Sequence, residues 1–302
     1  MTLVARESRR RTLRHMTFSI VARSIHGTDA GVAEYGVAVA SKFLAVGAIV
    51  PTAQADVGAI ATQSLANLRY RPDGLALLSA GRSAQETLDR LTADDDQRGD
   101  RQAGIVDARG GSASFTGAEC LPWAGGRSGL GYAIQGNILT GADVIEDMER
   151  AWLDSDPASP LSRRMLAALT AGDNAGGDSR GRQSAALLVV TPGGGYGGGS
   201  DVSVDLRVDD HPQPVAELVR LLDIRDLLFG RTDADECLPL TGDTLDDVRV
   251  LLESLGFDDP NTEHALNSFA GIENLEERLV PGRIDPLVYK HLTELSARAD
   301  PS

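Results

Sequence analysis

Thr17 is the residue of this sequence whose type and position best suit covalent chemistry. It follows Met16, and an initiator methionine is normally removed when the next residue is small. If translation starts at Met16, Thr17 carries both a hydroxyl and a free α-amine, which titrates near pH 7.7–8.0 and can take the hydroxyl proton. The alternative is an ordinary threonine at the start of a strand, and the residues by themselves favour that alternative.

Other candidate side chains lie in turns next to predicted strands. Asp178 and Arg180 lie in the glycine-rich run AGGDSRGRQ, where they could line a site or hold the turn as an ion pair. His211 follows two aspartates in DLRVDDHPQP, an arrangement suited to acid–base work or metal binding, or simply to capping the next helix. The loop GGGYGGG lacks the Lys-Ser/Thr of a phosphate-binding loop and predicts a hairpin tip. No Ser-His-Asp triad is apparent among these residues, so hydrolysis would need a base other than histidine.

Charge and cysteine content argue against several classes of partner. The formal net charge of -15 repels phosphate backbones and anionic membranes, so neither nucleic acid nor a membrane is expected as a partner. Cys120 and Cys237 are far apart and form no CxxC pair, which argues against a zinc site. A cytoplasmic location, without a metal or other cofactor, is the default expectation.

The order of the predicted elements indicates an α+β fold with antiparallel sheets. Alternating or β-branched runs predict the strands TFSIVAR, YGVAVAS, VGAIVPT, VGAIATQS, RQAGIVDA, GSASFTG, YAIQGN, QSAALLVVTP and DVSVDLRVDD. Apolar spacing of three and four predicts the helices GLALLSA, SAQETLDRLTADDD, ADVIEDMERAWLDS, PLSRRMLAALTAG and PVAELVRLLDIRDLLFG. Two sheets packed between helix layers would accommodate this order.

Composition divides the chain into four segments. Residues 1–16 are basic in an acidic protein, and we interpret them as a disordered arm or an upstream start, with Thr17 as the native N-terminus. Residues 17–230 form the main domain, and the acidic, turn-rich residues 231–243 form a linker. Residues 244–297 predict a small all-α domain of three helices, with stops at Gly256 and Gly271 and a start at Asp285-Pro286.

Seven segments, in one order from Thr17 to about Leu228, resemble the DUF1028 family. They are TFSIVAR, YGVAVASKFLAVGAIVP, GAIATQS, RQAGIVDARG, YAIQGN, AGGDSRGRQSAALLV and DLRVDDHPQPVAEL. The family is placed in the N-terminal-nucleophile (Ntn) hydrolase superfamily, so the resemblance implies a four-layer αββα sandwich with Thr17 as the nucleophile. Ser24 departs from the pattern, because relatives often carry an acidic residue there. The tail from about Thr244 to Leu295 resembles a helical module to which peptidoglycan binding is ascribed.

The resemblance also implies roles for other residues. Lys42, in the turn after the second strand, would favour the ionised Thr17 hydroxyl by Coulomb attraction, although a solvated hairpin lysine is the plain alternative. Asn137 could donate a side-chain N–H to a tetrahedral oxyanion. The candidates for lining the pocket are Asp178, Arg180 and His211.

The function expected from the sequence is hydrolysis of a C–N amide-like bond in a small molecule through an acyl-enzyme on Thr17. The alternative is a non-catalytic, cell-wall-associated protein that binds peptidoglycan or its fragments through the C-terminal helices. Those acidic helices could equally serve domain capping or dimerisation, and in the latter case the protein would be a homodimer.

Overall fold

The computed structural model describes residues 17–24, 32–230 and 232–299. The predicted arm, residues 1–16, lies outside the described residues. The chain divides into two compact units, the first ending at Val219 and the second beginning at Arg220. Each unit is described separately below.

Two antiparallel sheets form the centre of the first unit. The strands of the larger sheet are β1 (Thr17–Arg23), β2 (Tyr35–Ser41), β7 (Gly125–Gly129), β8 (Tyr132–Asn137), β9 (Ser184–Val190) and β10 (Val202–Val208). Those of the smaller sheet are β3 (Pro51–Gln54), β4 (Gly58–Ser64), β5 (Arg101–Asp107) and β6 (Ser112–Thr116). The six-stranded sheet has the order β10-β9-β2-β1-β8-β7, and the four-stranded sheet has the order β3-β4-β5-β6.

Helices pack on both sheets, and the sheets also pack on each other. The helices are α1 (Tyr70–Ser79), α2 (Ala84–Ala93), α3 (Asp143–Asp154) and α4 (Leu161–Asn174). The pair α1 and α2 contacts the four-stranded sheet, while α3 and α4 contact the six-stranded sheet. Strand β1 lies against β4 and β5, and β8 lies against β5.

Alternation along β1 sends successive side chains to different layers. Phe18 lies beside Gly172 of α4, whereas Ser19 donates a hydrogen bond to Gln63 of the facing sheet. Val21, two residues further along, joins an apolar cluster between the sheets. The space between the sheets is therefore polar near the start of β1 and apolar further along the strand.

Most predicted strands of the first unit are present, but two segments differ from expectation. The run VGAIVPT is not one strand, because Val46–Ala48 forms a 3-10 turn and β3 begins only at Pro51. Strand β7 was not predicted from its sequence GGRSG. It lies at the edge of the sheet and pairs only with β8, so it can form without an apolar pattern of its own.

The boundary between the units falls within helix α5 (Pro214–Phe229). The second unit continues with α6 (Gly242–Ser254), α7 (Thr262–Glu273), α8 (Pro286–Ala299) and the short pair β11 (Leu238–Pro239) and β12 (Arg283–Ile284). Its core includes Val248, Leu252, Phe269 and Leu292.

The helix ends of the second unit agree only in part with prediction. Gly256, with φ of 87°, follows α6, and Pro286 begins α8, both as expected. The expected stop at Gly271 was wrong: α7 continues to Glu273 and ends on Asn274, which adopts φ of 58°. Asparagine tolerates the left-handed conformation, so it can end a helix as glycine does.

The described residues thus contain eight α-helices, antiparallel sheets and a C-terminal helical region, which confirms the α+β class. None of the helices in this part of the chain has the length and apolarity that crossing a bilayer requires.

Candidate functional site

Thr17 is the first residue of β1, and only 2% of its surface is exposed. Its hydroxyl donates a hydrogen bond of 3.3 Å to the Oγ of Ser41, the last residue of β2. The side chain belongs to the face of β1 that carries Ser19 and Val21, because these residues alternate with Phe18 and Ile20. The Thr17 hydroxyl therefore lies between the two sheets, at their polar end.

Polar residues stand side by side across four strands at this end of the six-stranded sheet. Asn137 of β8 pairs with Thr17, and Ser41 of β2 pairs with Ser184 of β9. The hydrogen bond from Thr17 to Ser41 joins the two pairs. Directly opposed residues of antiparallel strands share a face, so the amide and the three hydroxyls form one row.

A second polar row on the facing sheet meets the first. Gln63 of β4 pairs with Gln102 of β5, and Gln102 pairs with Thr116 of β6. The Gln63 amide donates to the backbone carbonyl of Thr17 at 3.2 Å and to the Oε1 of Gln102 at 2.9 Å. Both glutamines are almost completely buried. The backbone of Thr17 is thus held by a side chain of the opposite sheet.

Asn137 is fully buried beside Thr17. Its Nδ2 donates to the Oε1 of Gln102 at 2.9 Å and, over a longer 3.5 Å, to the carbonyl of Thr17. Its Oδ1 accepts no hydrogen bond from any residue that the structure describes. The next residue, Ile138, adopts φ of 51°, an unfavourable conformation for a β-branched side chain and one that often marks a functional site.

Lys42, Asp178 and Arg180 are brought together at the end of β2. Asp178 is buried; its carboxylate accepts from the backbone N–H of Lys42 at 2.7 Å and from the Arg180 guanidinium at 3.1 Å. The Lys42 side chain is exposed, and its ammonium donates to the carbonyl of Arg182 at 3.2 Å. These contacts bind the turn after β2 to the loop before β9, the next strand of the sheet.

His211 occupies a turn rather than the polar row. Its ring Nδ1 accepts the backbone N–H of Gln213 at 3.0 Å, and the backbone N–H of His211 donates to the backbone carbonyl of Gln183. Gln213 lies directly before α5, which begins at Pro214. Among the described contacts, none joins His211 to Thr17.

Sequence reasoning missed the residues that surround Thr17 most closely. Ser41, Gln63 and Gln102 were not among the candidates. Ser19 and Gln135 were not named either; they hydrogen-bond to each other over 2.6 Å and, among the described contacts, not to the Thr17 side chain. The available signal was chemical: each of these polar residues lies in a strand segment in which apolar residues and glycine form the majority, for example GAIATQS and YAIQGN.

The site contains hydroxyl and amide groups, and the chemistry open to it is nucleophilic attack with hydrogen-bond stabilisation. Within the described residues, no group of three histidines, cysteines or acidic residues is placed to hold a metal ion. Cys120 approaches Ser64, next to Gln63, at 3.5 Å. Burial raises the pKa of the Cys120 thiol, which makes it a poor nucleophile.

The fold and the site define an α+β protein with a buried hydroxyl–amide centre between two antiparallel sheets. Residues 17–218 match the model of a family of unknown function, DUF1028, and the chain belongs to this family. A DUF1028 protein from Silicibacter pomeroyi, known from a crystal structure, is 30% identical, with a TM-score of 0.60 over 76% of this chain and 92% of its own.

Residues 228–292 match a second model, described as "Putative peptidoglycan binding domain". This stretch lies within the second compact unit. No protein of the curated set matches the chain. The comparisons therefore give the family and the helical domain, and neither of these descriptions states a reaction.

Proposed function

We propose that this protein is an N-terminal-nucleophile amidohydrolase that cleaves a C–N amide bond of a small molecule with Thr17. The observation that carries the proposal is the placement of Thr17. It is the first residue of β1, and its hydroxyl lies in a buried row of hydroxyl and amide groups. The layers α1/α2, four-stranded sheet, six-stranded sheet and α3/α4 support the four-layer αββα arrangement of such enzymes.

The proposed reaction uses the α-amine that Thr17 carries when it is the first residue. The amine takes the hydroxyl proton, and the Oγ1 attacks the substrate carbonyl to form a tetrahedral oxyanion. Asn137 donates an N–H to that oxyanion, and Ser41 holds the hydroxyl before attack. The C–N bond then breaks, the departing nitrogen receives the proton, and water hydrolyses the resulting ester on Thr17.

The charged turn at the end of β2 has a supporting role in this proposal. Lys42 adds positive charge close to Ser41 in the chain, and Asp178 and Arg180 fix the loop that lines the approach to the row. We keep His211 as a lining residue of the same rim, because it is tied to Gln183 next to Ser184.

Replacement of the Thr17 hydroxyl tests the proposal directly. In protein whose first residue is Thr17, Thr17→Ala should abolish hydrolysis of an amide library, and Thr17→Ser should retain part of it. Thr62→Ala is a matched control, because Thr62 is equally buried in β4 next to Gln63 and should keep activity. Mass spectrometry of the wild type should detect the acyl group on Thr17.

Chain length provides an independent check on the role of the amine. Protein that retains residues 1–16 has a peptide nitrogen at Thr17, which has no useful basicity, and should be inactive. Periodate, which cleaves an N-terminal threonine as a 1,2-amino alcohol, identifies the processed form. Full activity of Thr17→Ala, or of protein with Met1 in place, would exclude the proposal.

The second candidate function is non-catalytic binding at the cell wall. It is favoured by the match of residues 228–292 to the peptidoglycan-binding model. Sedimentation with purified peptidoglycan, with and without residues 238–302, tests it. Equal sedimentation of the two proteins would remove this candidate, whereas binding by the full chain together with amide hydrolysis would assign the two functions to different parts of the chain.

A further inference from the structure

Gln63 and Gln102 lie on the sheet that faces Thr17, and their hydrogen-bond partners fix which end of each side-chain amide donates and which accepts. We propose that Gln102, together with Gln63, is a positioning residue that sets which way the Asn137 amide presents its hydrogens. This inference rests on the proposed function, in which Asn137 donates to the oxyanion. Neither glutamine touches the reacting atoms in that scheme, so both act through Asn137 and Thr17.

The orientation of the Gln102 amide is set by backbone carbonyls, which can only accept hydrogen bonds. The Nε2 of Gln102 donates to the carbonyl of Gly136 at 2.7 Å and to that of Gly125 at 3.2 Å. It also reaches the hydroxyl of Thr116 at 2.9 Å. Because the amide nitrogen must face these acceptors, the Oε1 of Gln102 has to face the other way.

The oxygen of Gln102 then dictates the orientation of Asn137. It accepts from the Nδ2 of Asn137 at 2.9 Å, and a flipped Asn137 would set its own oxygen against the oxygen of Gln102. No described residue donates to the Oδ1 of Asn137, so no contact on that side opposes a flip. The orientation of the proposed oxyanion donor therefore depends chiefly on one acceptor.

The Gln63 amide is also fixed in orientation, with its nitrogen toward Thr17. Its Nε2 donates to the Oε1 of Gln102 and to the carbonyl of Thr17. Its own Oε1 accepts from the hydroxyl of Ser19 at 2.6 Å, which fixes the nitrogen toward Thr17. The Gln63 amide, which holds the Thr17 backbone, and the Asn137 amide thus both donate to the oxygen of Gln102.

Replacement by methionine tests the role of Gln102, with Gln135 as the matched control. Gln135 is also a glutamine with no exposed surface between the sheets, but its side chain bonds only to Ser19 among the described contacts. Each of Gln102→Met and Gln135→Met replaces one glutamine side chain in the space between the two sheets with an apolar side chain of similar size. The readouts are kcat and KM, and hydrogen exchange of the Asn137 side-chain NH₂ followed by NMR in ¹⁵N-labelled protein.

We expect Gln102→Met to speed exchange of the Asn137 NH₂ and to lower kcat with little change in KM. The loss should be about tenfold to a hundredfold, below the ~10²–10³ that removal of an oxyanion donor itself causes. Gln135→Met should leave both readouts near wild type. Equal effects of the two variants would overturn the proposal, since that pattern is expected from general disturbance of the core.

Gln102→Glu provides a conservative rescue. Burial disfavours the ionised carboxyl group, so at low pH its O–H can donate to Gly136 while its C=O accepts from Asn137. At low pH, exchange of the Asn137 NH₂ in Gln102→Glu should therefore be as slow as in wild type at the same pH. Fast exchange at every pH in folded Gln102→Glu would contradict the proposal, including where Gln102→Met does not fold.

The exchange measurement separates this inference from the proposed reaction. If the wild type hydrolyses no amide, the reaction is excluded, but the orientation of Asn137 by Gln102 is still tested by exchange alone. Fast exchange only in Gln102→Met would then support the positioning, and unchanged exchange would refute it.

Discussion

Asp95 offers the most sharply defined perturbation of the first unit. Its carboxylate, in a side chain only 8% exposed, accepts from the Arg101 guanidinium at 2.8 Å. It also accepts from the Tyr70 hydroxyl at 3.0 Å and the Asn67 amide at 2.8 Å. The group thus joins the start of α1 to the start of β5, whose second residue is Gln102. The perturbation is Asp95→Asn, which keeps the size and removes the charge.

The expected loss follows from what Asp95→Asn leaves behind. Arg101 keeps its charge with 8% of its side chain exposed, and removal of one partner of a buried ion pair destabilises by about 3–5 kcal/mol. In a unit of this size each kcal/mol lowers Tm by about 2–4 °C, so a drop of roughly 6–20 °C is expected. Asp73→Asn is the control, because its pair with Arg69 is exposed and contributes little.

The pH dependence of the stability difference between wild type and Asp95→Asn gives a second quantity to measure. Burial, the largest single influence, raises the pKa of Asp95, but hydrogen bonds from Arg101, Asn67, the Gln97 N–H and Tyr70 outweigh it and hold the pKa well below its usual range. A depressed folded pKa adds stability that is present above the unfolded value of about 3.9 and is lost as the pH falls through the folded value.

Urea denaturation of wild type and Asp95→Asn between pH 7 and pH 3 measures both effects. The difference in unfolding free energy should be largest at neutral pH and should shrink below about pH 4. An Asp95→Asn protein as stable as wild type at pH 7 would refute the reasoning. A difference that is the same at every pH would show that the carboxylate charge is not its cause.

Two further predictions concern the second unit and the thiols. Arg278→Met should selectively lower the Tm of the second unit, because it leaves Asp285 buried without its ion pair at 2.6 Å. Calorimetry measures this, and a lower Tm of the first unit instead would contradict it. Burial raises the pKa of Cys120 and of Cys237, so iodoacetamide at pH 8 should label both more slowly in folded than in urea-unfolded protein, and equal rates by mass spectrometry would disprove it.

Local patterns were sufficient to predict most elements. The alternation in TFSIVAR and YGVAVAS gave β1 and β2, and Ser83 with Glu86 forms the capping box that begins α2. The prediction failed where local preference was weak, as at β7, or where another residue could do the same work, as Asn274 does in place of Gly271.

The candidate site was only partly predictable, because most of its residues are brought together only by the register in which the strands pair. Thr17 was identified by its place in the chain, and Asn137 was named without knowledge that it lies opposite Thr17. Gln63 and Gln102 come from a different sheet, and their pairing depends on how β4 and β5 align. A single strand shows an isolated amide, which has no partner until the sheets assemble.

The contrast between the two ends of the sheet interior argues for the functional role of the polar end. From Val21 onward, the space between the sheets is filled by apolar groups such as Val39 and Val106, which pack without hydrogen-bonding requirements. At Thr17 it is filled by amides, and the oxygen of Asn137 receives no hydrogen bond from the described residues. Such groups lower stability unless fully paired, so packing alone would favour continuing the apolar pattern. Dipoles held in fixed directions around one hydroxyl are instead what a centre of developing charge requires, because they need no reorganisation when the charge appears.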